Sequence, residues 1–226
     1  MIASSWATDQ NKDYWAGRTE DLYGKADAGA VGELCIFGDS ITEFIQWMQI
    51  GGQPFVNCGF ASAGVIDLNN GVCAASSAGP AALSLLKPSA AIIMIGINDS
   101  HVPGINNTLP LWQANGSALI TSWVGSYVGL IGDIYGNYTQ KIVLATILPP
   151  ENGYADDVPD RLPVIQMQNQ KLVQIAAYFK IPIIDTYAAF AGPDGTAASG
   201  NTFDGIHPSA QGYAVLKPLY DSAFAQ

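Results

Sequence analysis

The sequence has few charged residues, and this scarcity limits the partners that the protein can bind. Charged residues make up 12% of the 226 residues, against roughly 25% in a typical soluble domain. Nine basic residues face nineteen acidic ones, which gives a formal net charge of -10 at pH 7. Because nine dispersed cations form neither a phosphate-binding stripe nor a polybasic membrane anchor, we expect no nucleic acid partner and no anionic membrane partner.

No stretch of the sequence is apolar for long enough to cross a bilayer. The most apolar run, Ala90 to Ile97, is far shorter than the roughly 20 residues that a transmembrane helix requires. The N-terminal residues lack the charged start and the apolar stretch of an intact signal peptide. The low lysine and arginine content and the abundant small residues favour an exported protein, secreted or periplasmic, whose signal has been removed. A cytoplasmic location stays open.

Cysteine is also scarce, and the three thiols cannot all pair. Cys35 lies in an apolar strand pattern, which predicts a buried free thiol. Cys58 and Cys73 could bridge a loop in an oxidising compartment, and the sequence leaves their disulfide state open. There is no CxxC pair and no histidine cluster, so we expect no metal site.

Apolar residues are abundant enough to build a core. Hydrophobic residues make up 49% of the chain and aromatic residues 10%, whereas disordered chains are poor in such residues. The length allows one or two domains, and we expect one main domain over residues 33–226. Residues 1–32 are polar and glycine-rich with scattered aromatics, which predicts an N-terminal extension that packs on the main domain.

Short apolar runs alternate with longer amphipathic ones after residue 32. Continuously apolar runs indicate strands that are buried on both faces, and they are predicted at Glu33–Phe37, Pro54–Asn57, Ala90–Ile95, Lys141–Thr146 and Ile181–Asp185. Helices are predicted at Ser40–Gln49, Ala81–Leu86, Gln113–Tyr135, Pro163–Phe179 and Ser209–Phe224. The alternation predicts an α/β three-layer sandwich with a mainly parallel five-stranded sheet. Functional residues in such sheets follow the carboxyl ends of the strands.

Polar residues follow the first three predicted strands. Ser40 begins a helix directly after strand one, where either it or Asp39 could simply cap that helix. Gly59 follows strand two, where a glycine either lets the backbone approach a ligand or forms an ordinary turn. Asn98 follows strand three, where its amide either points into a site or forms an Asx-turn.

Of the two histidines, only His207 has a carboxylate at a useful spacing. Asp204 lies three residues earlier, so it can face the imidazole across one turn and bind one ring nitrogen. A salt-bridged surface histidine is the alternative interpretation. Because a serine hydroxyl needs an adjacent base to act as a nucleophile, the set predicts Ser40 as nucleophile, His207 as base and Asp204 as the group that fixes the histidine tautomer.

Acyl transfer also requires donors for the oxyanion of the tetrahedral intermediate. The backbone N–H groups of Ser40 and Gly59 and the side chain of Asn98 are the candidates. Losing one such donor typically costs about 3–4 kcal/mol of transition-state stabilisation.

Taken in order, these residues resemble the markers of the SGNH hydrolases, also called the GDSL esterase/lipase family. The family's nucleophile serine, oxyanion glycine, oxyanion asparagine and base histidine match Ser40, Gly59, Asn98 and His207, and Asp204 matches the third triad member. The resemblance begins near residue 33 and extends to the C-terminus. It implies a flavodoxin-like sheet with strand order 2-1-3-4-5 and a mechanism without cofactor or metal.

The sequence departs from the family pattern beside the serine, and further residues near the motifs are candidates for substrate binding. Ile41 stands where the family name implies leucine, and Phe44 stands where many members have glycine. Asp99 completes the family's Gly-x-Asn-Asp block, and Phe60 and Ile206 could form apolar walls, although core packing is the commoner use of such residues. The candidates for substrate binding are Asp39, Phe44, Phe60, Asp99, His101 and Ile206.

Together these patterns predict a serine esterase that hydrolyses carboxylic esters through an acyl-enzyme. We expect short acyl chains, with acetylated carbohydrate as one candidate substrate. A lipid or thioester acyl hydrolase, or an acyltransferase of the same fold, is the alternative. A non-catalytic carbohydrate-binding module is a more distant one. The expected partner is a small-molecule or carbohydrate ester, and the sequence leaves the oligomeric state open.

Overall fold

Helices and strands alternate along the chain in a computed structural model that describes residues 9–69, 82–101, 116–152 and 158–224. The strands are β1 Leu34–Gly38, β2 Phe55–Gly59, β3 Ala90–Met94, β4 Ile142–Ala145 and β5 Ile183–Ile184. The helices are α1 Asp9–Asp27, α2 Ser40–Glu43, α3 Val65–Asp67, α4 Ala82–Leu86, α5 Gly116–Asn137, α6 Val158–Phe179, α7 Thr186–Phe190 and α8 Ala210–Ala223, with a 3-10 turn at Asn98–Ser100. In the part of the chain that the structure describes, no helix is both long and apolar enough to cross a membrane.

The five strands form one parallel sheet of order β2-β1-β3-β4-β5, flanked by helices. Every residue of β1 and β3 is buried, which explains why these strands are continuously apolar instead of alternating. Gly38 at the end of β1 lies opposite Gly59 in β2 and Met94 in β3. The carboxyl ends of these three strands are therefore neighbours, and the predicted α/β class and strand order are confirmed.

Helix α2 ends at Glu43 and not at Gln49, as the sequence predicted. The cause is a side chain from the neighbouring strand. The Nδ2 amide of Asn57 donates to the carbonyls of Thr42 (2.8 Å) and Glu43 (3.2 Å). These bonds satisfy carbonyls that a longer helix would have used, so a tertiary contact ends the helix where local propensity would continue it.

The other helix boundaries differ less, except at the start of α6. This helix begins at Val158 and includes Pro163 in its second turn, whereas we had placed the proline at its first position. The sequence missed α1, the short helices α3 and α7, and the 3-10 turn. The predicted starts of α4 at Ala81 and α5 at Gln113 lie outside the described residues.

The chain forms two compact units. The first comprises residues 1–49, 53–95 and 125–142, and the second comprises residues 50–52, 96–124 and 143–226. Fully buried side chains of the first unit include Leu22 of α1 and Phe37 of β1. Those of the second include Phe190 of α7 and Tyr220 of α8. Helix α1 thus belongs to the core of the first unit.

Two of the three cysteines lie in the sheet of the first unit. Cys35 in β1 and Cys58 in β2 are both fully buried. Cys58 carries a free thiol, so the structure does not contain the Cys58–Cys73 bridge that the sequence left open. Cys73 itself lies outside the described residues.

Candidate active site

Ser40 occupies the first position of α2, directly after β1. Gly38 permits this sharp turn, since a Cβ there would lie 2.1 Å from Oγ1 of Thr42 and 2.4 Å from the carbonyl oxygen of Met94. Asp39 caps the helix by accepting the N–H of Ile41 (3.0 Å). With its side chain committed to the cap and only 2% exposed, Asp39 supports the turn that carries Ser40 and presents no surface for a substrate.

Gly59 ends β2 against the backbone of α2, and its N–H is already engaged. A Cβ at this position would lie 2.2 Å from the amide nitrogen of Glu43 and 2.6 Å from its Cα. The N–H of Gly59 donates to Oδ1 of Asn57 (2.9 Å). Close packing accounts for the glycine, and the hydrogen bond occupies the donor that we had assigned to the oxyanion.

The next N–H groups of the loop are also engaged, with one exception. Phe60 donates to the carbonyl of Gly38 (3.0 Å), and Ala61 donates to Oε2 of Glu43 (2.7 Å). The N–H of Ala63 donates to the carbonyl of Phe60 (3.1 Å).

Ser62 is the exception, because no described residue accepts its N–H. This residue is exposed and has a left-handed backbone with φ of +63°, a conformation that non-glycine residues rarely adopt. The sequence does not reveal Ser62 as a site residue, because a serine in a loop carries no sign of that conformation.

Asn98 opens the 3-10 turn four residues after β3. Its carbonyl accepts the N–H of His101 (3.4 Å), and Oγ of Ser100 donates to the carbonyl of Ile97 (2.6 Å). Just before the turn, Gly96 has φ of +135°, and a Cβ there would lie 2.5 Å from Cδ1 of Ile147. The backbone that carries Asn98 is therefore fixed on both sides of the residue.

Asp204 and His207 form the acid–base pair that their spacing predicts. Oδ2 of Asp204 lies 2.6 Å from Nδ1 of His207, while Oδ1 accepts the backbone N–H groups of His207 (2.8 Å) and Ile206 (3.1 Å). When Nδ1 carries the proton that bonds the carboxylate, the acceptor lone pair of the ring is on Nε2. This arrangement orients the ring for work as a general base.

The charged form of Asp204 is stabilised by these contacts. Partial burial acts to raise the pKa of the Asp204 carboxyl, but the hydrogen bonds from the His207 ring and from the backbone of His207 and Ile206 outweigh it and hold that pKa below its usual range. The carboxylate therefore remains ionised at neutral pH, where it stabilises an imidazolium beside it.

The loop that carries this pair is held at several points. The N–H of Phe203 donates to the carbonyl of His207 (3.1 Å), and the N–H of Glu151 donates to the carbonyl of Gly205 (2.7 Å). The Phe203 ring stacks on the His207 ring with centroids 5.7 Å apart and an interplanar angle of 19°. Phe203 is 64% exposed. The sequence does not reveal this contact, because an isolated phenylalanine is not a signal of stacking.

The candidate substrate-binding residues are placed unequally. Phe44 is 41% exposed beside the end of α2, and Asp99 and His101 are half-buried in and after the 3-10 turn. Phe60 is fully buried and Ile206 is nearly so. Phe60 has the Arg18 guanidinium 6.0 Å above its ring, so it belongs to the core of the first unit and forms no accessible wall.

The comparison with known families identifies the family to which the chain belongs. A family model of GDSL-like lipases and acylhydrolases matches residues 36–215, well over half of the chain. The chain belongs to this family. The match contains Ser40, Asn98, Asp204 and His207, and it identifies the protein as a GDSL-family acylhydrolase. A comparison with curated protein sequences finds no significant match.

Several solved structures share the fold. A Streptococcus pneumonia protein described as a candidate platelet activating factor is 21% identical, with a TM-score of 0.69 over 98% of this chain and 100% of that one. A GDSL-like lipase from Bacteroides thetaiotaomicron is 18% identical, with a TM-score of 0.65 over 91% and 96% of the two chains. An acetylxylan esterase from Geobacillus stearothermophilus is 22% identical, with a TM-score of 0.61 over 85% and 94%.

The structure supplies this GDSL-like acylhydrolase with two sets of chemical groups, each within one unit. The first unit brings Ser40 and the loop after β2 to neighbouring strand ends. The second unit joins Asp204 to His207 and carries Asn98. Among the described residues, no group of three or more His, Cys, Asp or Glu side chains is arranged to hold a metal ion. These groups suit nucleophilic acyl transfer.

Proposed function

We propose that this GDSL-like enzyme hydrolyses esters of short acyl chains, acetyl groups on carbohydrate above all, through an acyl-enzyme on Ser40. The observation that carries the proposal is the 2.6 Å hydrogen bond between Asp204 and Nδ1 of His207, within a chain that belongs to an acylhydrolase family. A histidine oriented in this way is the base that a serine nucleophile requires.

In the proposed reaction, Nε2 of His207 takes the proton of the Ser40 hydroxyl as its oxygen attacks the ester carbonyl. The imidazolium then gives that proton to the leaving alkoxide, and the acyl group stays on Ser40. Water attacks the acyl-enzyme after losing a proton to Nε2, and the acid is released as Ser40 regains its proton. Asp204 stays ionised throughout and stabilises each imidazolium.

The oxyanion is met in this proposal by three donors. The backbone N–H of Ser40 and the side-chain amide of Asn98 are retained from the sequence analysis. The N–H of Ser62 replaces that of Gly59, because the Gly59 N–H is bonded to Asn57 while no described residue accepts the Ser62 N–H. Donors of this kind stabilise charge that develops in the transition state.

Two observations favour a carbohydrate ester. The structurally similar protein from Geobacillus stearothermophilus is an acetylxylan esterase. In the second unit of this chain, an open hollow of about 440 Å³ is lined by residues that include Glu151, Asn152 and Asp194. The N–H of Glu151 holds Gly205 beside Asp204, so the hollow adjoins the loop of the proposed base and offers room for a bulky alcohol such as a sugar.

Hydrolysis of p-nitrophenyl esters from acetate to octanoate, together with release of acetate from acetylated xylan, tests the proposal. Wild-type enzyme is expected to prefer the acetate ester and to deacetylate the polysaccharide, and Ser40→Ala to lose both activities while it stays folded by circular dichroism. Full activity in Ser40→Ala would refute the mechanism. A preference for octanoate would point to a lipid acyl hydrolase, and no turnover of any ester would point to a binding module.

A further inference from the structure

Three side chains of α1 bond the end of β2, the loop after it, or the Glu43 side chain that holds this loop. We call these residues, Tyr14, Trp15 and Arg18, the α1 clamp. The hydrogen bonds of these side chains described below lie within the first unit. The helix begins at Asp9, so it falls in the segment that the sequence analysis treated as an extension.

Arg18 binds the outer edge of β2, which is an edge strand of the sheet. Its Nη2 donates to the carbonyls of Asn57 (3.3 Å) and Gly59 (3.2 Å), and Nε also reaches Gly59 (3.4 Å). Residues two apart on a strand point their carbonyls to the same side, so one guanidinium satisfies both. Covering an exposed edge is a structural role in its own right.

The contacts of the clamp with Ala61 extend beyond that role. Nε1 of Trp15 donates to the carbonyl of Ala61 (2.9 Å), and Oε2 of Glu43 accepts the Ala61 N–H (2.7 Å). Glu43 is held in turn by the hydroxyl of Tyr14 and by Nε of Arg18 at 3.7 Å. Burial, and then the hydrogen bond to Glu43, raise the pKa of Tyr14 above its usual range, so the phenol stays protonated as a donor.

The bond from Trp15 fixes the direction of a second group. The carbonyl of Ala61 and the N–H of Ser62 belong to one planar trans peptide unit and point in opposite directions. A donor that holds the carbonyl therefore aims the N–H the other way. Trp15 is only 6% exposed, so the indole is packed in place and the peptide plane is set by a rigid group.

We propose that the α1 clamp positions the oxyanion-binding peptide of this enzyme, with Trp15 orienting the Ala61–Ser62 peptide plane, Arg18 fixing the strand end that leads to it, and Tyr14 holding the Glu43 carboxylate that accepts the Ala61 N–H. The inference rests on the proposed function, in which Ser62 donates to the oxyanion. The clamp residues are positioning residues, because they act through the loop and do not touch the substrate. These residues should therefore affect kcat, which depends on stabilisation of the transition state, and not KM, which reports ground-state binding.

The experiment compares Trp15→Phe and Arg18→Ala with two controls on the same helix. Trp15→Phe removes the N–H donor and keeps an aromatic ring. Leu22→Val removes part of a fully buried side chain that makes no hydrogen bond to the loop, and so controls for lost packing. Lys25→Ala removes an exposed positive charge and so controls for the charge change in Arg18→Ala.

Three measurements separate positioning from folding. A fluorophosphonate that labels Ser40 counts active sites, p-nitrophenyl acetate gives kcat and KM per labelled site, and an alkyl trifluoromethyl ketone reports oxyanion binding through its inhibition constant. We expect Trp15→Phe and Arg18→Ala to lower kcat per labelled site by about tenfold or more. KM should stay within about twofold, and the inhibition constant should rise by the same factor as kcat falls. Both control variants should keep wild-type kcat per labelled site.

The inference is overturned if both clamp variants keep kcat per labelled site within twofold of wild type. It is also overturned if Leu22→Val lowers kcat as much as Trp15→Phe does, since lost packing would then explain the effect. Failure of the proposed function looks different, because Ser40→Ala would then keep its activity and the fluorophosphonate would not label Ser40.

Discussion

Replacing Gly59 with alanine separates two roles for this residue that the sequence alone could not distinguish. Alanine keeps the backbone N–H, so a residue that served only as an oxyanion donor would tolerate the change. The structure predicts the opposite, because the added Cβ would lie 2.2 Å from the amide nitrogen of Glu43 and 2.8 Å from the carbonyl carbon of Thr42. Both atoms belong to the backbone of α2, which carries Ser40.

The size of the effect follows from these distances. An ordinary contact needs about 3.4 Å, so β2 and α2 must separate by roughly 1.2 Å, and overpacking on this scale costs about 3 kcal/mol or more. For a chain of this size we expect Tm to fall by about 6–12 °C. We expect kcat to fall by at least about tenfold as well, because an ångström-scale displacement of Ser40, the proposed nucleophile, removes much of its orientation.

Differential scanning calorimetry and kcat for p-nitrophenyl acetate measure the two effects. Gly17→Ala is the matched control, since a Cβ on Gly17 in α1 meets nothing within 4 Å, and alanine in a helix interior should stabilise the chain by roughly 0.5–1 kcal/mol. Our interpretation of Gly59 would be refuted if Gly59→Ala kept both its Tm and its kcat. It would also be refuted if the two variants changed Tm by the same amount.

Three further predictions concern the carboxylates and the stacked ring. Asp204→Asn should lower kcat by about 10²- to 10⁴-fold in ester hydrolysis, because an amide favours the wrong histidine tautomer; a loss below tenfold would count against the triad. Phe203→Leu should lower kcat in ester hydrolysis by roughly threefold or more, since the His207 ring loses the aromatic ring that stacks on it and limits its rotation; an unchanged kcat would show that the stacking does not orient the base. Burial raises the pKa of Asp67 despite the N–H that Gly64 donates to it (2.8 Å), so the folded state binds the proton more tightly than the unfolded chain. The free energy of unfolding of wild type should therefore fall relative to that of Asp67→Asn as pH rises through the carboxyl range, and chemical denaturation at pH 3 and pH 7 measures this. The same difference in unfolding free energy between the two proteins at both pH values would contradict the raised pKa of Asp67.

Strand positions were accessible from the sequence because burial on both faces leaves a direct pattern in it. The runs at β1 and β3 are apolar at every position, and in the structure every one of their residues is buried. The Asp204–His207 contact was equally accessible, because three residues of separation within one turn suffice to bring the two side chains together. Both features depend on residues that are near one another in the chain.

The features that the sequence concealed depend on residues that are distant in the chain. Helix α2 ends early because Asn57, fifteen residues from Thr42, caps its carbonyls. The bond from Trp15 to Ala61 spans 46 residues. No local pattern records such a bond, and the polar composition of the first 32 residues concealed α1 altogether.

The role of the loop after β2 shows how a correct family resemblance can leave a residue assignment open. The resemblance placed an oxyanion donor near Gly59, and chain order alone made that glycine the natural choice. The N–H groups of Gly59, Phe60 and Ala61 each donate a hydrogen bond within the protein, which is why we propose Ser62 as the donor. Ser62 has a left-handed backbone conformation, so a contact from outside the loop is needed to hold the Ala61–Ser62 peptide plane. The Trp15 indole makes such a contact through its hydrogen bond to the Ala61 carbonyl. If Ser62 is the oxyanion donor, helix α1 contributes to catalysis although its sequence carries no catalytic motif. The kcat of Trp15→Phe per labelled site tests this consequence.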